Sequence, residues 1–233
     1  LAERLGSGLQ HHLQRFESAR HLINPEIILF QDFLFIFILM LYVLFTIIFL
    51  IPVLAGFGEI FKKIFGEIWQ GISAKLFSGM FFLAMIWQIL AFFFPLNIWV
   101  EGVSLVIGFL AFFYFKTYKD FLKFSKTEIL KLFFLTLIII ISGSYYPFIL
   151  DHFGYYVPSI NWLSEFGLSK GLANLNLIYA QMSVWHIFQA GFSHFSDVFL
   201  RINVVFLIAF FIYIFEKKVW SLLFISPIFL LFI

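Results

Sequence analysis

The chain has 233 residues, of which 63% are hydrophobic and only 12% charged, with a net charge of +2 and no cysteine. A water-soluble domain carries about 25% charged residues, so this composition is that of an integral membrane protein. It excludes a disulfide framework or a thiolate metal site, and the small net charge excludes nucleic acid as a partner. The apolar runs are continuous and do not alternate with period two, so the spans are helices; the fold class expected is an all-α polytopic membrane bundle.

Residues 1–26 form a polar leader. It holds three of the four arginines (Arg4, Arg15, Arg20) and no lysine, unlike the lysine-rich remainder. It reads either as a segment foreign to the rest of the chain or as an amphipathic helix, with Leu5, Leu9, Leu13 and Phe16 at helical spacing along the membrane surface. A first span is expected from Ile27 to about Leu54. After it, Ile60, Phe61, Ile64, Phe65, Ile68 and Ile72 recur at helical spacing among charged residues, which predicts an interfacial helix over 57–74. The second span covers about Leu76 to Phe94, followed by a tight turn at Pro95-Leu96-Asn97, and the third about Ile98 to Phe115, with Glu101 in its first turn. The fourth covers about Leu130 to Leu150, the fifth Ile202 to Phe215, and a sixth starts at Val219, giving about six spans. Because the last span is cut short, the chain reads as the N-terminal part of a longer protein.

Lysines set the orientation. Five (Lys116, Lys119, Lys123, Lys126, Lys131) lie in the loop before span four and two (Lys217, Lys218) before span six, whereas residues 151–201 hold only Lys170 and Arg201. The first two segments, with Lys62, Lys63 and Lys75, are expected on the cytoplasmic side and the long one on the exoplasmic side.

That long segment is where chemistry is expected, because loops beyond about 15 residues are usually functional. Pro158 starts and Gly167 stops a short helix over 158–166, with Trp162 at headgroup level. A second helix is expected over about 175–192. On it Asn176, Tyr179, Ser183, His186, Gln189 and Ser193 share one face, a polar stripe that lines a cavity or, on the simpler expectation, meets bulk water. Asp151 sits where span four meets the headgroups. A carboxylate half-desolvated there can act as a general base or hold a divalent cation through its oxygens.

A span ending in Asp151, then Tyr155, a juxtamembrane helix bearing Trp162, and the run Gly167, Gly171, Leu172, Asn174, Leu175, with Ser183 beyond it, resembles the multi-pass bacterial glycosyltransferases of the GT-C superfamily. The likeness extends to the glycosyltransferase-like membrane proteins of Bacteroidetes and spirochaetes, and it covers about 35 residues. It implies a bacterial inner-membrane enzyme that moves a sugar from a polyprenyl-phosphate donor, held with membrane lipid, to an exoplasmic lipid, polysaccharide or protein acceptor. In that reading Asp151 is the catalytic base, or the ligand of a divalent cation if one is used. The substrate-binding candidates are Tyr155, Tyr156, Glu165, Lys170, Asn174, His186 and Arg201. Two departures stand out: Tyr156 replaces a frequent His, and the second helix lacks an Arg, so Lys170 or Arg201 must serve the donor phosphate. The rival readings are an O-antigen polymerase or ligase, which relies on exoplasmic Arg and His, and a transporter or non-catalytic membrane subunit. Span centres nearly free of charge count against transport.

Overall fold

The computed structural model describes residues 25–66, 70–145, 152–169, 174 and 182–226, and the leader lies outside them. The chain divides into two compact units, Leu1–Leu39 and Met40–Ile233. In the first, the described residues are the opening turns of helix α1, where Phe33, Leu34, Phe35 and Phe37 are exposed. All regular structure among the described residues is helical.

Helix α1 runs unbroken over Pro25–Phe65, through Pro52. The interfacial helix expected over 57–74 therefore does not exist as a separate element. Pro52 removes only one backbone donor, and where water is scarce every other backbone group is best satisfied by continuing the helix. The start of the stripe packs on protein: Ile60 lies against the core and the Phe61 ring stands 5.7 Å from that of Phe82, whereas Ile64 and Phe65 are exposed. Lys62 and Lys63 occupy the last turn, where cations favour the helix dipole.

Helix α2 (Ile72–Ala91) and helix α3 (Ile98–Tyr114) follow, α3 capped by the Asn97 carboxamide, which accepts from the Trp99 and Val100 amides. Small residues let these backbones touch. A Cβ on Gly56 of α1 would lie 2.0 Å from the Gly108 carbonyl oxygen of α3, and one on Gly79 of α2 would lie 1.9 Å from that of Leu54. Close approach of this kind substitutes for a hydrophobic driving force between apolar helices.

Helix α4 (Lys126–Gly143) begins four residues before the expected span because Ser125 and Glu128 form a capping box. Helix α5 (Val157–Phe166) and helix α6 (Val184–Ala190) are short, and helix α7 (Asn203–Lys217) ends at left-handed Lys218. Within the second unit α2 packs on α6 and α7, α5 on α6, and α4 on α7. Trp87, Leu83 and Leu76 of α2, Ile160 and Leu163 of α5, and Val204 and Ile208 of α7 lie in the common core.

Two stretches are long and apolar enough to cross a membrane, Phe33–Phe65 and Ile72–Ala91, and Ile98–Tyr114 is a shorter apolar helix. The described helices thus supply two of the six spans read from the sequence. Helix α4 spends Lys126, Glu128 and Lys131 of its 18 residues on charge, and α7 is 15 residues long. In place of the start of a sixth span stands a 3₁₀ turn, Trp220–Phe224. The outward faces are apolar nonetheless: Val106, Leu110 and Phe113 on α3 and Phe133, Phe134 and Ile138 on α4 are all exposed.

Candidate functional site

A five-residue π-turn, His152–Tyr156, leads directly into α5, whose first turn holds Pro158. Helix α5 stops at Gly167, where φ is +70°. A Cβ there would lie 2.6 Å from the Ala91 carbonyl oxygen, and the same tight contact lets the Leu168 amide donate to Ala91 at 2.7 Å. The Leu96 amide donates in turn to the Leu163 carbonyl at 3.1 Å. Helix α5 is thereby pinned to the α2–α3 turn.

Helix α6 starts by an unusual device. Ser183 is its N-cap, and the third helical position, where a capping box ordinarily has Glu or Gln, is His186. The Ser183 amide donates to His186 Nδ1 at 2.9 Å, and the His186 amide donates to Ser183 Oγ at 3.4 Å. The other side of α6 fixes it to α2: the Trp87 ring lies 4.6 Å from that of Phe192 and 5.9 Å from that of Phe188.

These two elements bring three of the sequence-predicted residues together. The His186 ring stands 5.1 Å from that of Tyr155 and 4.6 Å from that of Tyr156, and the tyrosine rings are 5.7 Å apart, edge to face. His186 is buried, and burial holds its pKa below the ordinary histidine value. Burial likewise lowers the pKa of His152, with help from the charge of Arg201. Burial, and then Tyr156, push the Tyr155 phenol up, so it stays protonated. The cluster is thus an aromatic corner in which burial holds the His186 imidazole towards its neutral form.

Behind it stand two buried carboxylates. Glu101, fully buried in α3, accepts from the amides of His194, Phe195 and Ser196 at 2.9, 3.0 and 2.6 Å and from the Ser196 hydroxyl at 2.6 Å. Asp197 accepts from the amides of Arg201 and Ile202 at 2.6 and 2.8 Å, at the entry to α7. Burial pushes the Asp197 pKa up to about 8, against the pull of those amides and of the Arg201 charge, with nearby Glu101 adding to the rise. These carboxylates hold the 191–202 turn in shape.

The remaining candidates are placed differently. Asp151 and Lys170 lie outside the described residues. Glu165, on α5, and Asn174 are exposed, and Arg201 is buried within the electrostatic reach of Asp197 and His152. The helix expected over 175–192 is not continuous through its second half: Ser183 is extended, and α6 occupies only Val184–Ala190. Asn176 and Tyr179 of the polar stripe fall outside the described residues. His186 and Gln189 do not meet bulk water but are buried, 3% and 2% exposed, because α6 is sandwiched between α2 and α5. Sequence reasoning missed Asp197 and His152, whose polarity is unremarkable in a loop. It noted Glu101 without assigning it a partner, although a carboxylate in an apolar run was itself the signal. Among the described residues no group of three or more His, Asp or Glu could hold a metal ion.

A family model described as a domain of unknown function, DUF8201, matches residues 40–233, the same stretch as the second compact unit. No curated protein and no solved structure matches the chain.

Proposed function

The chain belongs to the DUF8201 family, and on that premise we propose that it is a bacterial inner-membrane glycosyltransferase of the GT-C kind, moving a sugar from a polyprenyl-phosphate donor to an exoplasmic acceptor hydroxyl. The observation that carries the reading is the meeting of Tyr155, Tyr156 and His186 at one end of the bundle. That end is opposite the lysines. Helix α7 runs from Asn203, near Asp197 and Arg201, to Glu216 and Lys217, which touch Ile72, Ser73 and Gln70. Lys75 and Lys123 join Asp120 at the same far end. With lysines on the cytoplasmic side, the aromatic corner faces outward. The apolar outer faces of α3 and α4 support further spans beyond the two long helices.

In this reading the tyrosine rings present apolar walls to a sugar, with His186 packed behind them. Asp151, one residue before the π-turn, takes the proton from the attacking hydroxyl, whose own pKa is far above 7. The bond from the anomeric carbon to the lipid-phosphate oxygen breaks as the new glycosidic bond forms. This reading assigns Arg201 and Lys170 to the leaving phosphate. A divalent cation, if used, would be held through Asp151. Membranes carrying the protein should transfer radiolabelled sugar from a polyprenyl-phosphate donor. Asp151→Asn should insert normally yet lose about 100- to 10,000-fold in rate. Undiminished turnover in that variant removes the base, and no transfer by the wild-type chain from any such donor removes the reading.

A further inference from the structure

At the lysine-bearing end of the second unit a groove of about 660 Å³ lies between α2 and α7. That volume falls in the roughly 300–1,000 Å³ range of ligand sites. The two helices run antiparallel: Glu216 meets Ile72 at the mouth, and deeper in the Phe206 ring stands 5.6 Å from that of Phe77. The walls are Ala74 and Phe77 on α2 and Phe210 and Tyr213 on α7, all half-buried. On α7, Phe206, Phe210, Tyr213 and Lys217 are four, three and four residues apart, so they share one face. From Phe210 to Lys217 the trough follows the helix for about 10 Å.

The mouth of this apolar trough carries a single charge. Lys217 lines it, and no carboxylate does. Its neighbour Glu216 is turned to the start of α2, where it accepts from the Ile72 and Ser73 amides at 2.8 and 3.1 Å. Lys217 Nζ donates to the Gln70 carbonyl at 2.9 Å. That bond fixes the ammonium at the mouth and leaves two of its three N–H donors for another acceptor. Lys218, also exposed, adds positive charge beside it.

Apolar walls with a cation at one end match a molecule that joins an apolar chain to an anion. In a bilayer the apolar part is an acyl chain, and the cation selects the headgroup. A zwitterionic headgroup brings its own ammonium towards Lys217 and Lys218, whereas an anionic one is attracted by both. Basic pockets between helices on the cytoplasmic side of a membrane hold anionic headgroups for this reason. We propose that the groove between α2 and α7 binds an anionic phospholipid, one acyl chain lying along Phe210 and Tyr213 and the phosphate resting on Lys217. A polyprenyl phosphate has related chemistry, but the donor of the proposed reaction is used at the tyrosine end, beyond the opposite end of α7. The proposal needs the chain to lie in a membrane and does not need it to transfer sugar.

The test is native mass spectrometry of the full chain in detergent, titrated with phosphatidylglycerol and with phosphatidylcholine of the same acyl chains. Phosphatidylglycerol should bind about five-fold more tightly, the worth of one lysine beside an anionic headgroup, and Lys217→Gln should remove that preference. Lys123→Gln deletes the same charge at the same end but outside the groove, and should leave the preference intact. Ala74→Trp sets a ring in the trough and should weaken both lipids. Lys217 is exposed, so its variant reports on the site even if Ala74→Trp fails to fold. Equal binding of the two lipids by the wild-type chain overturns the proposal. So does an equal loss of preference in Lys217→Gln and Lys123→Gln, which is the mark of diffuse surface charge. Displacement of phosphatidylglycerol by an equimolar polyprenyl phosphate hands the groove to the donor lipid and overturns it too. Selective lipid binding by a chain that transfers no sugar removes the proposed function alone, and sugar transfer by a chain without lipid preference removes this inference alone.

Discussion

The two ends of the second unit pair their carboxylates differently. At the lysine end, Lys75 Nζ lies 2.6 Å from both Glu59 and Asp120, and Asp120 also takes Lys123 at 2.6 Å. Glu216 there accepts from the Ile72 amide at 2.8 Å, the Ser73 amide at 3.1 Å and the Ser73 hydroxyl, so the end of α7 caps the start of α2. Lys217 completes the joint by donating to the Gln70 carbonyl at 2.9 Å. At the tyrosine end, Glu101 and Asp197 accept from backbone amides; among the described residues Ser159 Oγ, His186 Nε2 and Gln189 Oε1 have no hydrogen-bond partner there, as Thr117 Oγ1 has none at the lysine end. Paired polarity of the first kind locks helix ends together. A buried polar atom left unpaired costs stability at either end.

The sharpest way to break this contrast is through pH. Asp197 is the buried acceptor whose pKa rises furthest, from an ordinary 3.8 to about 8. A folded-state pKa raised above the unfolded one means that the folded chain binds the extra proton between those values. Its contribution should therefore fall as pH rises from about 4 to about 8 and stay level above that. His152 and His186, both with depressed folded pKa values, act the other way and cost stability as pH falls below about 6.5. Asp197→Asn should remove the fall in Tm between about pH 4 and pH 8 and leave the curve above about pH 8 unchanged in slope. An unchanged slope between about pH 4 and pH 8 would show that Asp197 is ionised in the folded protein throughout.

A smaller effect is expected at the lysine end. Glu216→Leu strips the acceptor from two amides and a hydroxyl at the start of α2, which should cost about 2 kcal/mol by thermal or chemical unfolding. Sugar transfer, assigned under the proposed function to the opposite end, should be unaffected. Joint loss of stability and transfer would mean that the two ends are not independent. The smallest effect belongs to Lys123, whose side chain is 76% exposed. Lys123→Ala should change stability by at most about 1 kcal/mol, because solvent screens the pair and Lys75 still holds Asp120. A larger loss would show that the Asp120 network acts as a unit.

The parts of this protein legible in the sequence are those fixed by near neighbours. Helical class follows from continuous apolar runs. The helix read over 158–166 is observed as Val157–Phe166, stopped at Gly167. The Pro95-Leu96-Asn97 turn leads into α3 through an Asn97 cap, which needs only the two amides that follow it. The conjunction of Tyr155, Tyr156 and His186 was within reach because two adjacent tyrosines and one histidine on short helices have few ways to meet. Where a local pattern had two physical solutions the reading failed: the stripe around Ile60 and Phe61 suits a bilayer surface or a helix partner equally well, and α2 took the place of lipid.

What only the tertiary structure decided is which polar groups are paired. Glu101 lies 93 to 95 residues from the amides it accepts from, and Glu216 lies 143 or 144 residues from Ser73 and Ile72. No periodicity within one helix encodes a partner so distant, because it is fixed by how α2, α3 and α7 come to lie side by side. The same holds for burial. By sequence, His186 and Gln189 belong to a polar stripe suited to water, and only the placement of α6 between α2 and α5 removes that water. Composition and spacing determined the helices and the sorting of the lysines, since these depend on side chains a few residues apart. Packing determined the state of the site, since desolvation is a property of the assembled neighbours and of no single segment.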